Sequence, residues 1–486
     1  MKISKYLKAI STPLPAGGAG GGFLHLGRGW GWVLLFPLLL SSCGVYDKYE
    51  RPKVNTTGII RDTLSIVDTL KATADTTTFA NLPWREVFTD PQLQKLIQQG
   101  LDNNPDLLNA ALSVHMVESQ LKMAKLAFLP QVTFSPQGTL SSWDFGKASQ
   151  TYSLPLNASW TADLFGNILN QKRSVQMTLL ATKDYQTVVK TKIVSGIANM
   201  YYTLLMLDRQ LEIVNDMASL TKDTWDMMKL QMQLGRYRST SVQSAESGYY
   251  SVLAQTEDIK RQIREVENSL SLLIGQPAQT IQRGKLADQQ LPSKFSTGVG
   301  IQLLKNRADV HAAEMQLAGS FYDVNAARSK FYPSLTISAT GAFTNSGGGM
   351  VVNPGKILAS AVASLVQPIF MNGRLTAALK VAQDTYEQNY NTWQNAVLTA
   401  GSEVSNALVA YNAYDAKGRL EAHQVEVLKK NVEDTRALVS SSTSTYLEVI
   451  SAQNSLLNAE ISLVTDNFNK MQAVVSLYQA LGGGSK

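Results

Sequence analysis

Two hydrophobic periodicities divide this chain. Along its last fifty residues, Ile450, Asn454, Leu457, Ile461, Val464, Phe468, Met471, Val475 and Tyr478 alternate spacings of four and three. Val252, Ile259, Ile263, Val266, Leu270 and Leu273 repeat the spacing earlier, with Thr256 filling the gap. A heptad seam sustained this long predicts helices packed as coiled coils rather than a ligand stripe. Elsewhere the period is two. Val132 and Phe134 alternate with Thr133 and Ser135, and Tyr152, Leu154, Leu156, Ala158, Trp160 and Ala162 alternate with small polar residues. Leu335, Ile337, Ala339, Gly341 and Phe343, followed after a Gly- and Asn-rich link (345–349) by Ile357, Ala359, Ala361, Ala363 and Leu365, show the same texture. These segments predict two strand hairpins. Segments of about ten residues with one apolar face also fit the strands of a transmembrane barrel.

Proline placement sets the length of the helices. None occurs between Pro155 and Pro277, and none after Pro368. Both stretches are rich in good helix formers. Each breaks once, at Leu234-Gly235-Arg236 and in the Ser/Thr run 440–445. Each therefore predicts a long helix, a tight turn and a return helix. Residues 167–233 as one helix would extend about 100 Å at 1.5 Å per residue, a length that needs neighbours along it.

The two regions are copies of one unit. Asn103, Asp106, Ala110, Ala124, Phe128, Pro130 and Thr133 recur 203 residues later as Asn306, Asp309, Ala313, Ala327, Phe331, Pro333 and Thr336. Phe165 matches Phe370, and Ala245 and Gly275 match Ala452 and Gly482, the offset drifting to 205 and then 207. A period this long is a domain duplication and not a solenoid. Repeat 1 is expected over 81–286, with a membrane hairpin at 131–162 and long helices at 166–275. Repeat 2 is expected over 287–486, with a hairpin at 334–368 and long helices at 373–481.

Four strands cannot close a barrel, and an open sheet edge in lipid leaves backbone groups unpaired. If these strands cross a membrane, several chains share the barrel. Two chains give eight strands, an interior filled by side chains; three give twelve and a lumen. Strand counting requires an oligomer without choosing between them. A soluble helical protein with two surface hairpins is the plainer alternative, and it leaves the paired hairpins and the helix length unexplained.

Composition changes the picture at the N-terminus. The net charge of +6 suggests a basic protein, but Lys2, Lys5, Lys8 and Arg28 stand in residues 1–42 with no acid among them. Without them 40 basic residues face 38 acidic ones, so the charge argues for no nucleic-acid partner. Residues 1–42 read as a secretory signal, basic residues preceding an apolar run from Trp30 to Leu40 that is too short to span a bilayer. Leu40-Ser41-Ser42-Cys43 resembles the bacterial lipobox, in which the cysteine becomes the lipidated first residue. Cys43 is the only cysteine, so it has no disulfide partner within the chain. A covalent lipid on Cys43 and an anchor or linker over 43–80 are expected, with no other cofactor.

Candidate chemistry is sparse. None of His25, His115, His311 and His423 has a second His or Cys at ligand spacing, so no metal site is expected. His115 and His311 read as helix-surface residues. The Gly runs lack the Lys-Ser/Thr of a phosphate loop, and no serine has a paired base. No catalytic residue is expected, and the chain does not read as an enzyme.

Trp84-Arg85-Glu86-Val87-Phe88-Thr89-Asp90, Asn306-Arg307-Ala308-Asp309-Val310, Phe370-Met371-Asn372-Gly373-Arg374, Thr445-Tyr446-Leu447-Glu448-Val449 and Ala480-Leu481-Gly482-Gly483-Gly484 together resemble the outer-membrane efflux proteins (TolC-like outer-membrane factors), in particular the lipoprotein branch serving tripartite pumps. The resemblance covers essentially all of 43–486. It implies a mainly α protein with a membrane β part, assembled as a homotrimer with a twelve-stranded β-barrel continued by a periplasmic α-barrel. The partners it implies are outer-membrane lipid, a periplasmic adaptor protein and an inner-membrane pump of RND type. The family's acidic entrance ring maps onto Glu448, with a second acidic position falling on Ser451 and the copy-one counterpart on Ser241. A ring of like charges on a symmetry axis is a selectivity element; a carboxylate favoured by a helix dipole explains Glu448 equally well. The family's aromatic and basic lock residues near the second turn are absent, and Arg236, Tyr237 and Arg238 at the first turn stand as substitutes or as an adaptor-docking site. A passive exit duct for small molecules is the leading expectation. A duct for type I protein secretion or metal efflux, and a non-conducting structural lipoprotein, are the alternatives.

Overall fold

The computed structural model describes residues 46, 48–53, 82–142, 144–292, 307–347, 350–440 and 446–484. The signal segment 1–42, Cys43, nearly all of the anchor segment, residues 348–349 of the Gly-rich link and residues 441–445 of the second break lie outside them. Every element below belongs to the unit Lys48–Lys486.

Copy one opens with α1 (Trp84–Val87), α2 (Pro91–Asn103) and α3 (Pro105–Leu126). Each of the last two begins on a proline, whose missing N–H costs nothing at the first helical position. Each is capped by the preceding side chain: Asp90 accepts from Gln92 N at 2.8 Å, and Asn104 accepts from Asp106 N at 2.9 Å. Strands β1 (Gln131–Phe134), β2 (Gln137–Ser141) and β3 (Ser149–Ala162) follow, then α4 (Asn167–Gln233) and α5 (Ser239–Leu273). Copy two has α6 (Ala308–Ser329), β4 (Ser334–Gly347), β5 (Met350–Val366), α7 (Arg374–Ser440) and α8 (Tyr446–Ala480). The strands thus claim Asn345–Gly347 from the expected link.

The elements of the two halves pair in length. Helices α3 and α6 have 22 residues each, α4 and α7 have 67, and α5 and α8 have 35. Their starts differ by 203 for the first pair and 207 for the other two. The four extra residues therefore fall in the hairpin region. Gly275 and its counterpart Gly482 end the return helices at φ 71° and 87°, a backbone that suits glycine. Any side chain at Gly275 would meet Asn103 O at 2.6 Å.

Helix α4 packs against α3, α5, α6 and α8, while α7 packs against α6 and α8. The main core lies where α1, α2 and both hairpins meet, around Phe88, Leu93, Ile97, Ile197, Tyr201, Tyr202, Leu270 and Tyr478. Tyr201 Oη donates to Asp90 Oδ2 at 2.6 Å, which satisfies a polar group inside that core. The expected seams are buried at Val252, Thr256, Ile259, Ile263, Leu270, Leu457, Val464, Phe468, Val475 and Tyr478. Asn454 departs from the pattern and is exposed. Its amide gains nothing in an apolar seam, and Gln453 beside it is buried instead, donating to Thr224 Oγ1 at 3.1 Å. His311 is a second correction. It is half-buried between α4 and α6, with Nδ1 2.6 Å from Asp184 Oδ2, whereas His115 is exposed.

The strands form one antiparallel sheet in the order β1-β3-β4-β5, with β2 continuing β1 along β3. The break between β1 and β2 falls at Ser135–Pro136, opposite Pro155. One face carries rungs of apolar partners: Leu154↔Phe343↔Ile357, Trp160↔Ile337↔Ala363 and Ala162↔Leu335↔Leu365. The other carries Asn157↔Thr340↔Ser360 and Thr161↔Thr336↔Ser364. Leu154, Leu156, Ile337, Phe343, Ile357 and Leu365 are all exposed, so among the described residues no helix covers the apolar face. Strand β5 and the β1/β2 pair are open edges.

Candidate functional site

The expected site residues gather where the two long hairpins turn. Helix α4 ends at Gln233, and Gly235 at φ 74° lets the chain reverse, with Arg236 N returning to Gln231 O at 3.0 Å. Arg236 and Arg238 are exposed, Arg236 Nη1 donating to Gln231 Oε1 at 3.4 Å. Tyr237 between them is half-buried, so the three residues divide into two outward cations and one inward ring.

That ring meets the other copy. Tyr237 stands edge-on to Tyr446, the first residue of α8, with centroids 6.3 Å apart. Buried Met228, Val242, Ala245 and Tyr446, with Trp225 and Ile450 at the margin, form an apolar cluster separate from the main core. Burial, and after it the neighbouring Tyr237, push the Tyr446 hydroxyl up to about 12, so it stays neutral. Lys229 Nζ lies 3.3 Å over the Trp225 ring, which itself stacks on Tyr249 at 5.7 Å. The cluster fastens the turn of the first hairpin to the start of the second return helix. Sequence reading missed Tyr446, Trp225 and Lys229 here. The density of aromatics from Trp225 to Tyr250 was visible, but no spacing marked which of them meet.

Glu448 is the third residue of α8 and is exposed; Ser241 is the third residue of α5 and half-buried. The two are counterparts in the repeat, so one copy carries an acid where the other carries a hydroxyl. Ser451 is exposed one turn beyond Glu448, which puts both on neighbouring surface positions of α8. The tip thus presents an outward carboxylate and two guanidiniums around an apolar knot. Among the described residues no group of His, Cys, Asp and Glu is arranged to hold a metal ion, and no helix is long and apolar enough to cross a membrane.

Comparison with known proteins places this geometry in context. A model of the family described as "Outer membrane efflux protein" matches residues 96–276 and 300–483. The cation efflux system protein CusC of Escherichia coli (strain K12) is 26% identical over 455 residues, covering 92% of this chain and 97% of CusC. The probable outer membrane lipoprotein SilC of Salmonella typhimurium is 25% identical, covering 82% of this chain and 88% of SilC. A crystal structure of CusC, determined in work on its folding and transmembrane channel formation, superposes with a TM-score of 0.78 at 25% identity, covering 91% of this chain and 100% of that one.

Proposed function

The chain belongs to the outer membrane efflux protein family and is an outer-membrane efflux channel subunit; from that premise we propose that three copies close one conduit for small molecules. The observation that carries the reading is the open sheet, whose apolar face is uncovered and whose two edges are unpaired among the described residues. In lipid both defects disappear when the sheets of several chains join into a barrel. Three copies supply twelve strands and leave a lumen; two would fill it. The paired 67-residue helices continue the conduit into the periplasm. A covalent lipid on Cys43 anchors the assembly, in keeping with the lipoprotein SilC. A periplasmic adaptor and an inner-membrane pump of RND type supply engagement and energy, and the duct itself is passive.

The entrance is read at the hairpin turns. Three Glu448 carboxylates around the axis favour cations, alternating with three Ser241 hydroxyls. Arg236 and Arg238 offer cationic contacts to the adaptor. Purified protein in planar bilayers should conduct, and Glu448→Lys should reduce or invert its cation preference. Conductance with unchanged selectivity removes the gate role from Glu448, and no conductance at all overturns the conduit. Cys43→Ser should leave a processed protein without acyl label. A second reading, that the cargo is a metal cation, is favoured by the relative CusC, a cation efflux protein; metal accumulation in cells lacking this chain separates the two.

A further inference from the structure

We propose that the start of α7 packs against the α3 end of a neighbouring copy through two specific contacts, Phe370 on Leu129 and Val381 on Met116. The proposal rests on the closed-oligomer reading and assigns which side chains meet there.

The internal repeat provides the template. Within one chain, the entry to the long helix of copy one packs against the short helix of copy two. Phe165 stacks on Tyr332, centroids 4.8 Å apart and planes 14° from parallel. Two turns into α4, Met177 Cβ and Ser174 O lie 3.6 and 3.7 Å from where a Cβ would stand on Gly319 of α6. Each contact can be carried forward by the spacing of the repeat. Tyr332 and Gly319 map back by 203 residues onto Leu129 and Met116. Phe165 and Ser174 map forward onto Phe370 and Val381, by 205 and 207 residues across the lengthened hairpin.

All four landing positions are large apolar side chains left bare in the single chain. Phe370 is 82% exposed, Val381 65%, Met116 61% and Leu129 60%. Scattered exposed apolar residues are ordinary. Two template contacts whose images are exposed and apolar on both sides are not. The chain cannot close these pairs on itself, because α3 packs on α4 and α7 packs on α6 and α8. Lipid is a poor cover for Met116, which lies ten residues, about 15 Å, down the helix from its strand-side end at Leu126. The same operation applied to the β3–β4 pairing sets β5 against β1 of the next copy, and those strands are the two free edges of the sheet.

The image also differs from its template in chemistry. The seam inside the chain carries the His311–Asp184 pair at 2.6 Å and Arg173 over the Tyr322 ring at 5.6 Å. Their images are Leu108 with Asn391, and Lys380 with Ser119, which form no ion pair. The two assigned contacts are therefore apolar, while the image of Met177, Asp384, is already held within its own chain by Lys380 at 2.7 Å.

Cysteine pairs test this in the full-length protein in outer-membrane fractions, where Cys43 is the only native thiol position. Oxidising Leu129→Cys/Phe370→Cys and, separately, Met116→Cys/Val381→Cys should convert most of the protein to covalent dimers and trimers on denaturing gels. Either single variant should stay monomeric. Phe165→Cys/Tyr332→Cys should oxidise within one chain and leave the monomer mass unchanged. The assigned contact is overturned if that control oxidises while both test pairs stay monomeric in a sample that an amine cross-linker shows to be oligomeric. A sample that stays monomeric with the amine cross-linker too, and does not conduct, overturns the closed-oligomer reading itself. A lipid-soluble thiol reagent labelling Phe370→Cys as fast as Leu365→Cys on the apolar sheet face would assign Phe370 to lipid and overturn its half of the proposal.

Discussion

Between α4 and α5 the facing side chains include Val214, Leu253, Ile259 and Ile263; between α7 and α8 the repeat sets Glu421, Glu460, Asp466 and Lys470 at the same four positions. The first seam is aliphatic. The second is a ladder of ion pairs: Lys470 to Asp415 at 2.6 Å, Lys417 to Asp466 at 2.8 Å and Lys429 to Glu460 at 3.0 Å. Asp208, the counterpart of Asp415, turns instead to Arg283 after the hairpin, at 2.5 and 2.8 Å. Two helical hairpins of the same length and topology thus differ at these positions, the second adding ion pairs beside its own buried Val425, Val432, Leu456 and Leu457. Apolar burial carries no titrating or screened charge, whereas paired charges respond to pH and to ionic screening.

Exchanging residues between the copies should break the comparison most sharply. Ile259→Asp places an unpaired carboxylate in the aliphatic seam and should destabilise α5 by about 3 kcal/mol or more, seen as faster amide exchange along α5. The reverse exchange, Asp466→Ile together with Lys417→Met, replaces the whole pair with apolar side chains and should leave α8 as stable or more stable, since replacing a buried pair whole is often neutral or stabilising. Equal losses from both would show that the seams do not differ in kind.

A smaller effect is expected from pH. Burial, and after it the adjacent Asp466, hold the Glu421 carboxyl above the usual carboxylate range. An acid whose value is raised on folding adds stability at low pH that is lost as pH rises through the raised value. Amide exchange in α7 and α8 around Glu421 should therefore quicken as pH rises through that range, after correction for the intrinsic rate. Glu421→Gln should flatten the dependence, and the matching stretch of α4 and α5 around Val214, which carries no acid at that position, should not share it. The smallest effect belongs to the half-exposed rung: Lys470→Met should change stability by less than about 1 kcal/mol, measured by thermal unfolding.

Much of this architecture is legible from local pattern. The heptad seams, the proline-free stretches and the period-two runs each state one element, and the duplication states it twice. What escapes is whatever depends on contacts between distant segments. Arg51 and Glu314, 263 residues apart, form a two-pronged pair at 2.6 and 2.5 Å that no periodicity announces. The ionic seam was hidden for a related reason: Asp466 and Lys470 lie between heptad positions and read as solvated charges until α7 brings Asp415 and Lys417 to them. At the tip, Arg236, Tyr237 and Arg238 look like one patch in sequence. Only the partner ring of Tyr446 separates the tyrosine from its neighbours. Glu448 is placed by its match to the family motif, since one acid near a helix start has no distinguishing pattern of its own.

The proline between β1 and β2 has a consequence for the life of the chain before assembly. Ser135 N points inward to Pro155 O at 3.3 Å, so strand alternation turns the nitrogen of Pro136 toward the free edge, where it has no hydrogen to give. On this edge an unassembled chain therefore shows two short ladders of four and five residues instead of one long template, while β5 remains the long edge. Uninterrupted edges recruit strands from strangers and seed aggregates. The interruption lowers that risk during transit, leaving the edge to a partner whose own outline fits the gap.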